Sequence, residues 1–292
     1  MASSTWWIPS FCPTDLPAYL ANPAHPCVCD LYPDGQAVSR NTCPLRVSFC
    51  RKTGHEGRQN RMSHRISLNN KAASTRLVVG GNRGIGIALV EAQLGRPGVS
   101  TVIATHRPTA DTASLLELKR RHGKKLILQE LDVTSDSSLK AFGSFLAQQP
   151  FGIDLAIHAA GLLHDDDIAP EKSLAHCKAS HLMRLFEVNS IGPLMVAGAL
   201  IPTQKRNHRF TFAALSAMVG SIGDNRLGGW YGYRASKTAL NQFIRTMANE
   251  CRLKHPRAAI VAIHPGTTDT DLSRPFQKNV DPEKLYSPMT TA

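Results

Sequence analysis

The chain has 292 residues, a formal charge of +12 and 42% hydrophobic residues, enough for one large domain or two small ones. Read as a sequence, it holds no apolar run long enough to cross a bilayer, so no membrane partner is expected. Its positive charge is dispersed, without the interleaved aromatic and basic residues of RNA-binding modules, so no nucleic-acid partner is expected either.

Residues 1–76 carry nine Lys/Arg against four Asp/Glu, and five of the seven cysteines: Cys12, Cys27, Cys29, Cys43 and Cys50. Cys27-Val28-Cys29 is too tight for the usual two-residue gap between zinc ligands, and no second ligand pair follows. Met1 to Ile8 lacks the apolar core of a secretory signal. An acid-poor stretch rich in Ser and Arg fits an organelle transit peptide, disordered and then cleaved. A plastid address is expected, with mitochondrion or cytosol as alternatives. Cys177 and Cys251, the two that remain, fit a reduced compartment.

From Arg76 the texture changes. Leu77-Val78-Val79 reads as a strand, Gly80 to Gly86 as a glycine turn, and Ile87 to Leu94 as a helix. That order opens a phosphate-binding βαβ unit, since glycines let a pyrophosphate approach the N–H groups at the helix start. Further strands are predicted over 100–105, 125–132, 153–158, 210–215 and 258–263. Helices are predicted between them, one capped by Asp111 and another by Ser135 or Asp136. The alternation gives residues 77–292 the fold class α/β, a single Rossmann-type domain with a doubly wound parallel sheet.

Tyr233 and Lys237 stand four residues apart around Ala235 and Ser236. On a helix they share a face, and the ammonium is expected to draw the phenol pKa down toward working pH. Such a pair suits proton transfer at an oxygen atom.

With these motifs in order, the chain resembles the short-chain dehydrogenase/reductase family over about Leu77 to Val280. The resemblance rests on Gly81-Asn82-Arg83-Gly84-Ile85-Gly86, Leu131-Asp132-Val133-Thr134, Ala159-Ala160-Gly161, Val188-Asn189-Ser190, Tyr233-x-x-x-Lys237 and His264-Pro265-Gly266-Thr267. Gly220 to Asn225, followed by Gly228-Gly229-Trp230, is similar to carbonyl reductases of bacterial and plant type. The resemblance implies a cofactor site built by the six glycine-turn residues, Asp132 and Val133, Ala159 to Gly161, Tyr233, Lys237, and Pro265 to Thr267. It implies Tyr233 as general acid, Lys237 as its modulator and ribose ligand, and Asn189 as anchor of a water that links Lys237 to solvent. It also implies Ser216, with Ser221 as runner-up, as the hydroxyl that polarises a substrate carbonyl.

The second strand ends Thr105-His106-Arg107 without the acid an NAD site uses, and Arg83 lies inside the glycine turn. Two guanidinium groups near the adenine ribose suit a 2′-phosphate, so NADP(H) is the expected cofactor. Gly80 stands where the family has a threonine that ties down the glycine turn, and His158 replaces an asparagine. Beyond Gly266 the last strand and part of the substrate lid are expected to be missing, which would expose a sheet edge and weaken oligomer contacts. His164-Asp165-Asp166-Asp167 is read as a solvated loop rather than a metal site. The expected partner is a small carbonyl or alcohol compound, with a homo-oligomer left open. The competing reading is a non-catalytic NADP(H)-binding or scaffold protein of the same fold.

Overall fold

The structure is a computed structural model that describes residues 73–292. The expected transit peptide, its cleavage and its five cysteines lie outside the described residues.

Six strands, β1 (Ser74–Val79), β2 (Val99–His106), β3 (Leu126–Glu130), β4 (Leu155–His158), β5 (Thr211–Leu215) and β6 (Ala259–Ile263), form one sheet in the order β3-β2-β1-β4-β5-β6. Every adjacent pair is parallel. The order reverses between β1 and β4, so the crevice for a ligand opens there, beyond the carboxyl ends of those strands. β1 begins three residues before its apolar run (74 against 77), because Thr75 N–H donates to Asp154 Oδ2 at 2.7 Å.

A layer of buried side chains covers each face, as a parallel sheet demands. Leu77, Val79, Ala156, Phe212 and Ala214 pack on one side with Leu139, Phe142, Leu240 and Ile244. Val78, Ile157 and Ala104 pack on the other with Leu89, Val90 and Leu115. Alternation along β4 returns His158 to the first side, the side of the helix that carries Tyr233.

Helix α1 spans Gly84–Gly95, α2 Ala113–His122 and α3 Asp136–Ala147. Ser135 caps α3 by accepting from Ser138 N–H (3.3 Å). Thr112, not Asp111, is the N-cap residue of α2. Asp111 sits one position outside, yet its Oδ1 accepts from Ala113 N–H at 2.9 Å. Next come α4 (Ala179–Phe186), a π-helical turn (Glu187–Ile191) and α5 (Gly192–Leu200). Together, Ala179–Thr203 is a 25-residue helical stretch with an 18-residue window of mean hydropathy 1.4, long and apolar enough by length and composition to span a bilayer. That corrects the reading from sequence. In the fold, Leu185, Val196, Ala197 and Leu200 of this stretch are wholly buried in the domain, which is what makes it apolar.

The 24-residue α6 (Tyr231–Lys254) crosses the sheet on the same side. Among the described residues β6 is the sheet's edge, with Val261 and Ile263 partly open to solvent. Among the described residues, the segment after β6 adds no further strand to this sheet. Thr267–Thr268 (β7) pairs in parallel with Leu285–Tyr286 (β8), and α7 (Pro288–Thr291) is tied back by the Thr268–Thr291 hydroxyl bond at 2.9 Å. Between these elements a 3₁₀ turn, Arg274–Asn279, carries Phe276.

Candidate active site

The glycine turn hangs from the end of β2. Gly80 N–H donates to the buried Thr105 hydroxyl (3.2 Å) and Gly81 N–H to the Thr105 carbonyl (2.8 Å). The tie that the family draws from position 80 therefore comes from the neighbouring strand. A Cβ on Gly86 would stand 1.9 Å from the Gly80 carbonyl oxygen, so only glycine lets the chain fold back this closely. Arg83 is the N-cap of α1, with no side-chain cap bond and no acid in the first turn. The first N–H groups of α1 are thus left without a capping side chain at the β1–β4 switch point, a cradle that fits a dinucleotide pyrophosphate. Asn82 ties the turn to the α2 approach through Asp111 O (3.3 Å), and Ile85 packs into the core beneath.

Arg83 and Arg107 are exposed beside this turn and make no ion pair among the described residues. Asp132 is less free. Burial works against its charge, but bonds from the Thr134 N–H and hydroxyl, with Arg184 and Arg107 nearby, hold its pKa below the usual value. Val133 packs against Gly192 at the start of α5. Ala159 and Ala160 both donate to Val79 O (2.8 and 3.1 Å). Pro265 and Gly266 lead into β7 at Thr267, and Thr270 beyond it lies against Gly84, its methyl 3.3 Å from where a Cβ there would stand.

Around the other wall, Asn189, Lys237 and Tyr233 come together. Asn189 lies in the π-helical turn, fully buried. Its Oδ1 accepts from Leu162 N–H (2.8 Å), and its amide donates to Leu162 O (2.7 Å) and the Ser236 hydroxyl (3.1 Å). It therefore pins the loop after β4 to α6. Gly161 leaves room for this contact, since a Cβ there would approach Asn189 Oδ1 to 3.5 Å and Lys237 Nζ to 3.8 Å. Lys237, buried, donates to Leu215 O at the end of β5 (2.9 Å) and sits 5.7 Å from the Tyr233 ring centre. Burial lowers its pKa to about 8. The expected depression of the tyrosine pKa is not what the site produces: burial pushes the Tyr233 hydroxyl up to about 12. The phenol is held protonated. His158 lies behind the pair at 1% exposure with Nε2 unpartnered, and burial, then the Lys237 charge, bring its pKa down to about 3. It is neutral.

The Ser216 hydroxyl is engaged within the protein. It donates to Asn241 Oδ1 (2.7 Å), eight residues and about 12 Å of helix beyond Tyr233. Ser221 lines a cleft of about 260 Å³ with Tyr231, Arg234, Ala235 and Thr238, the opposite face of α6 from Tyr233. The loop after β5 is clamped to α6 through Asn241 and Thr238, both bonded to Gly220 O. Ser216→Ala is expected to cost about 1 kcal/mol of stability, the loss of one partly buried hydrogen bond. Its kcat/KM should fall less than about tenfold, as urea titration and steady-state kinetics will read.

Three residues outside the expected set complete the wall. Glu171 closes the first turn of α6: its carbonyl accepts from Trp230 N–H (2.6 Å) and its carboxylate from Gly232 N–H (3.2 Å). Trp230 meets Tyr233 edge-on at 6.2 Å and Phe276 at 4.9 Å. Only the Gly228-Gly229 pair before Trp230 hinted at a forced turn there. His164 meets Phe276 edge-on (5.6 Å) and bonds Leu272 O (3.2 Å), while Asp165 Oδ1 accepts from Asp167 and Ile168 N–H. That run is occupied in shaping its own loop.

Comparison with known proteins agrees with this architecture. The sequence profile of the family described as short chain dehydrogenase matches residues 74–281. Short chain dehydrogenase gsfK of Penicillium aethiopicum is 34% identical over 211 residues, 69% of this chain and 78% of that protein. The NADPH-bound carbonyl reductase from chicken fatty liver superposes with a TM-score of 0.65 at 25% identity, over 75% of this chain and 84% of that one. A putative short-chain dehydrogenase/reductase from Burkholderia multivorans with bound NADP gives 0.63 at 27% identity, over 74% and 86%. With the glycine turn, the switch-point crevice and the tyrosine–lysine pair in place, the chain belongs to the short-chain dehydrogenase family.

Proposed function

We propose that the protein is an NADP(H)-dependent oxidoreductase that interconverts a carbonyl compound and its alcohol, with Tyr233 as proton donor. The observation that carries the reading is the half-buried, protonated phenol of Tyr233 with the buried ammonium of Lys237 beside it, on one turn of α6. NADPH, when bound, supplies the hydride that reaches the carbonyl carbon. The carbonyl oxygen takes its proton from Tyr233, so one carbonyl, one hydride and one proton give one alcohol. In this reading Lys237, its Nζ 5.7 Å from the Tyr233 ring centre, returns a proton to the phenolate that remains. Asn189 keeps the loop after β4 against α6, so the cofactor wall and the proton donor stay in register.

Arg83 and Arg107 support the phosphorylated cofactor, as neither makes an ion pair among the described residues and both are exposed. Arg107→Ala is expected to raise KM for NADPH about tenfold, the worth of one charge-assisted contact, and to leave KM for NADH unchanged. Bound NADP in the Burkholderia protein and bound NADPH in the chicken reductase favour the same choice. The test of the whole reading is NADPH oxidation by the full chain across aldehydes, ketones and quinones, with NADH as control. The second reading, a non-catalytic NADP(H)-binding protein, draws on the engagement of Ser216 by Asn241. It predicts NADPH binding with no turnover of any carbonyl in that panel.

A further inference from the structure

Among the described residues, Trp230 is the one non-glycine residue with a positive φ, 52°. A bulky side chain in the left-handed region costs about 1–2 kcal/mol, so something outside the residue holds it there. The holding groups are visible. Gly228 and Gly229 precede it at φ 64° and 66°, and Glu171 O takes its N–H at 2.6 Å. The forced turn brings the indole edge-on to Tyr233 at 77° and to Phe276 at 66°. His164 extends the row, edge-on to Phe276 at 70°. Phe276 comes from the segment after β6 and Trp230 from the start of α6, so two distant parts of the chain build one aromatic wall beside the proton donor. Each of the four rings is only half-buried, so the wall is not core packing.

A herringbone of this kind offers faces and edges to a further planar ring. Such a ring gains a directional term beyond the area it buries, whereas a saturated ring of similar size gains the area alone. The strain at Trp230 is then a feature of ligand recognition.

We propose that the site selects carbonyl compounds bearing an aromatic ring, with that ring seated on the Trp230–Phe276 wall while the carbonyl meets Tyr233. The inference rests on the oxidoreductase reading given above, and its test separates the two. Ethyl 2-oxo-4-phenylbutanoate and its 4-cyclohexyl counterpart carry the ring two methylenes from the ketone, so the two carbonyls are equally electrophilic. The full chain with NADPH is expected to favour the phenyl compound in kcat/KM by about 3- to 10-fold. Trp230→Leu and Phe276→Leu should bring that ratio to about 1, and Trp230→Phe should restore most of it.

Calorimetric titration of the two corresponding alcohols into the NADPH-loaded chain gives a readout without turnover, since an alcohol and the reduced cofactor cannot react. Phenyl-selective binding in a chain that turns over neither ketone supports the wall and overturns the reductase. Turnover without phenyl preference, or a preference that survives both leucine variants, overturns the wall and leaves the reductase standing. Neither turnover nor binding of either ring overturns both.

Discussion

Tyr233→Phe is expected to lower kcat for carbonyl reduction by about 10²- to 10⁴-fold, the range that a positioned proton donor contributes. The affinity for NADPH, read by fluorescence titration, should stay within a few-fold of the parent. Folding should not suffer. The hydroxyl's pKa is raised by burial alone, with no hydrogen bond to support it, so its removal leaves no partner unsatisfied and the melting temperature should hold or rise. A variant with undiminished turnover would remove Tyr233 from the reaction. The pH profile supplies an independent check with a definite sign. Tyr233 keeps its proton up to about 12, whereas Lys237 releases its own near 8. Reduction should therefore run flat below pH 8 and decline above it, as Lys237 loses the proton it returns to the phenolate. A rate that stays level to pH 10 would disconnect Lys237 from proton supply.

The parallel sheet and the glycine turn were legible because each rests on short-range pattern: apolar runs for buried strands, glycine where the backbone turns back. Asn189, Tyr233 and Lys237 were legible for a different reason, as their spacing matches a family in which the same fold brings them together. What the sequence could not carry were contacts set by the third dimension. Thr105 replaces the missing hydroxyl at Gly80 from the adjacent strand, a substitution visible only once β1 and β2 are paired. Ser216 follows β5 directly, but that its hydroxyl donates to Asn241, 25 positions later, is visible only in the folded chain. The pKa of Tyr233 went the other way for a related reason: proximity to Lys237 can be read from spacing, but burial cannot. The stretch Ala179–Thr203 escaped notice because Asn189, Ser190 and Pro193 interrupt its apolar run, and only the assembled helix shows its length.

Gly86→Ala should be the most damaging single methyl group in the domain. The new Cβ would lie 1.9 Å from Gly80 O, 2.9 Å from Gly80 C and 3.2 Å from Gly81 Cα, all backbone atoms with no rotamer by which to withdraw. Gly80 is itself held in place, in a left-handed backbone (φ 77°) with its N–H bonded to the Thr105 hydroxyl. Relief requires the turn to separate from α1. Overpacking of this kind costs about 1–3 kcal/mol or more, and it displaces the N–H groups that would face the pyrophosphate. NADPH affinity is expected to fall at least about 100-fold, as a shift in an otherwise rigid cradle forfeits several charge-assisted bonds together. Gly95, at the other end of the same helix, supplies the control. A Cβ there meets nothing within 4 Å. Gly95→Ala should leave cofactor affinity unchanged and add up to about 0.5–1 kcal/mol of stability, the helix-interior advantage of alanine. Equal behaviour of the two variants in NADPH titration and thermal melting would mean that the turn does not hold the cofactor; opposite behaviour assigns the binding to the close approach of Gly86 and Gly80.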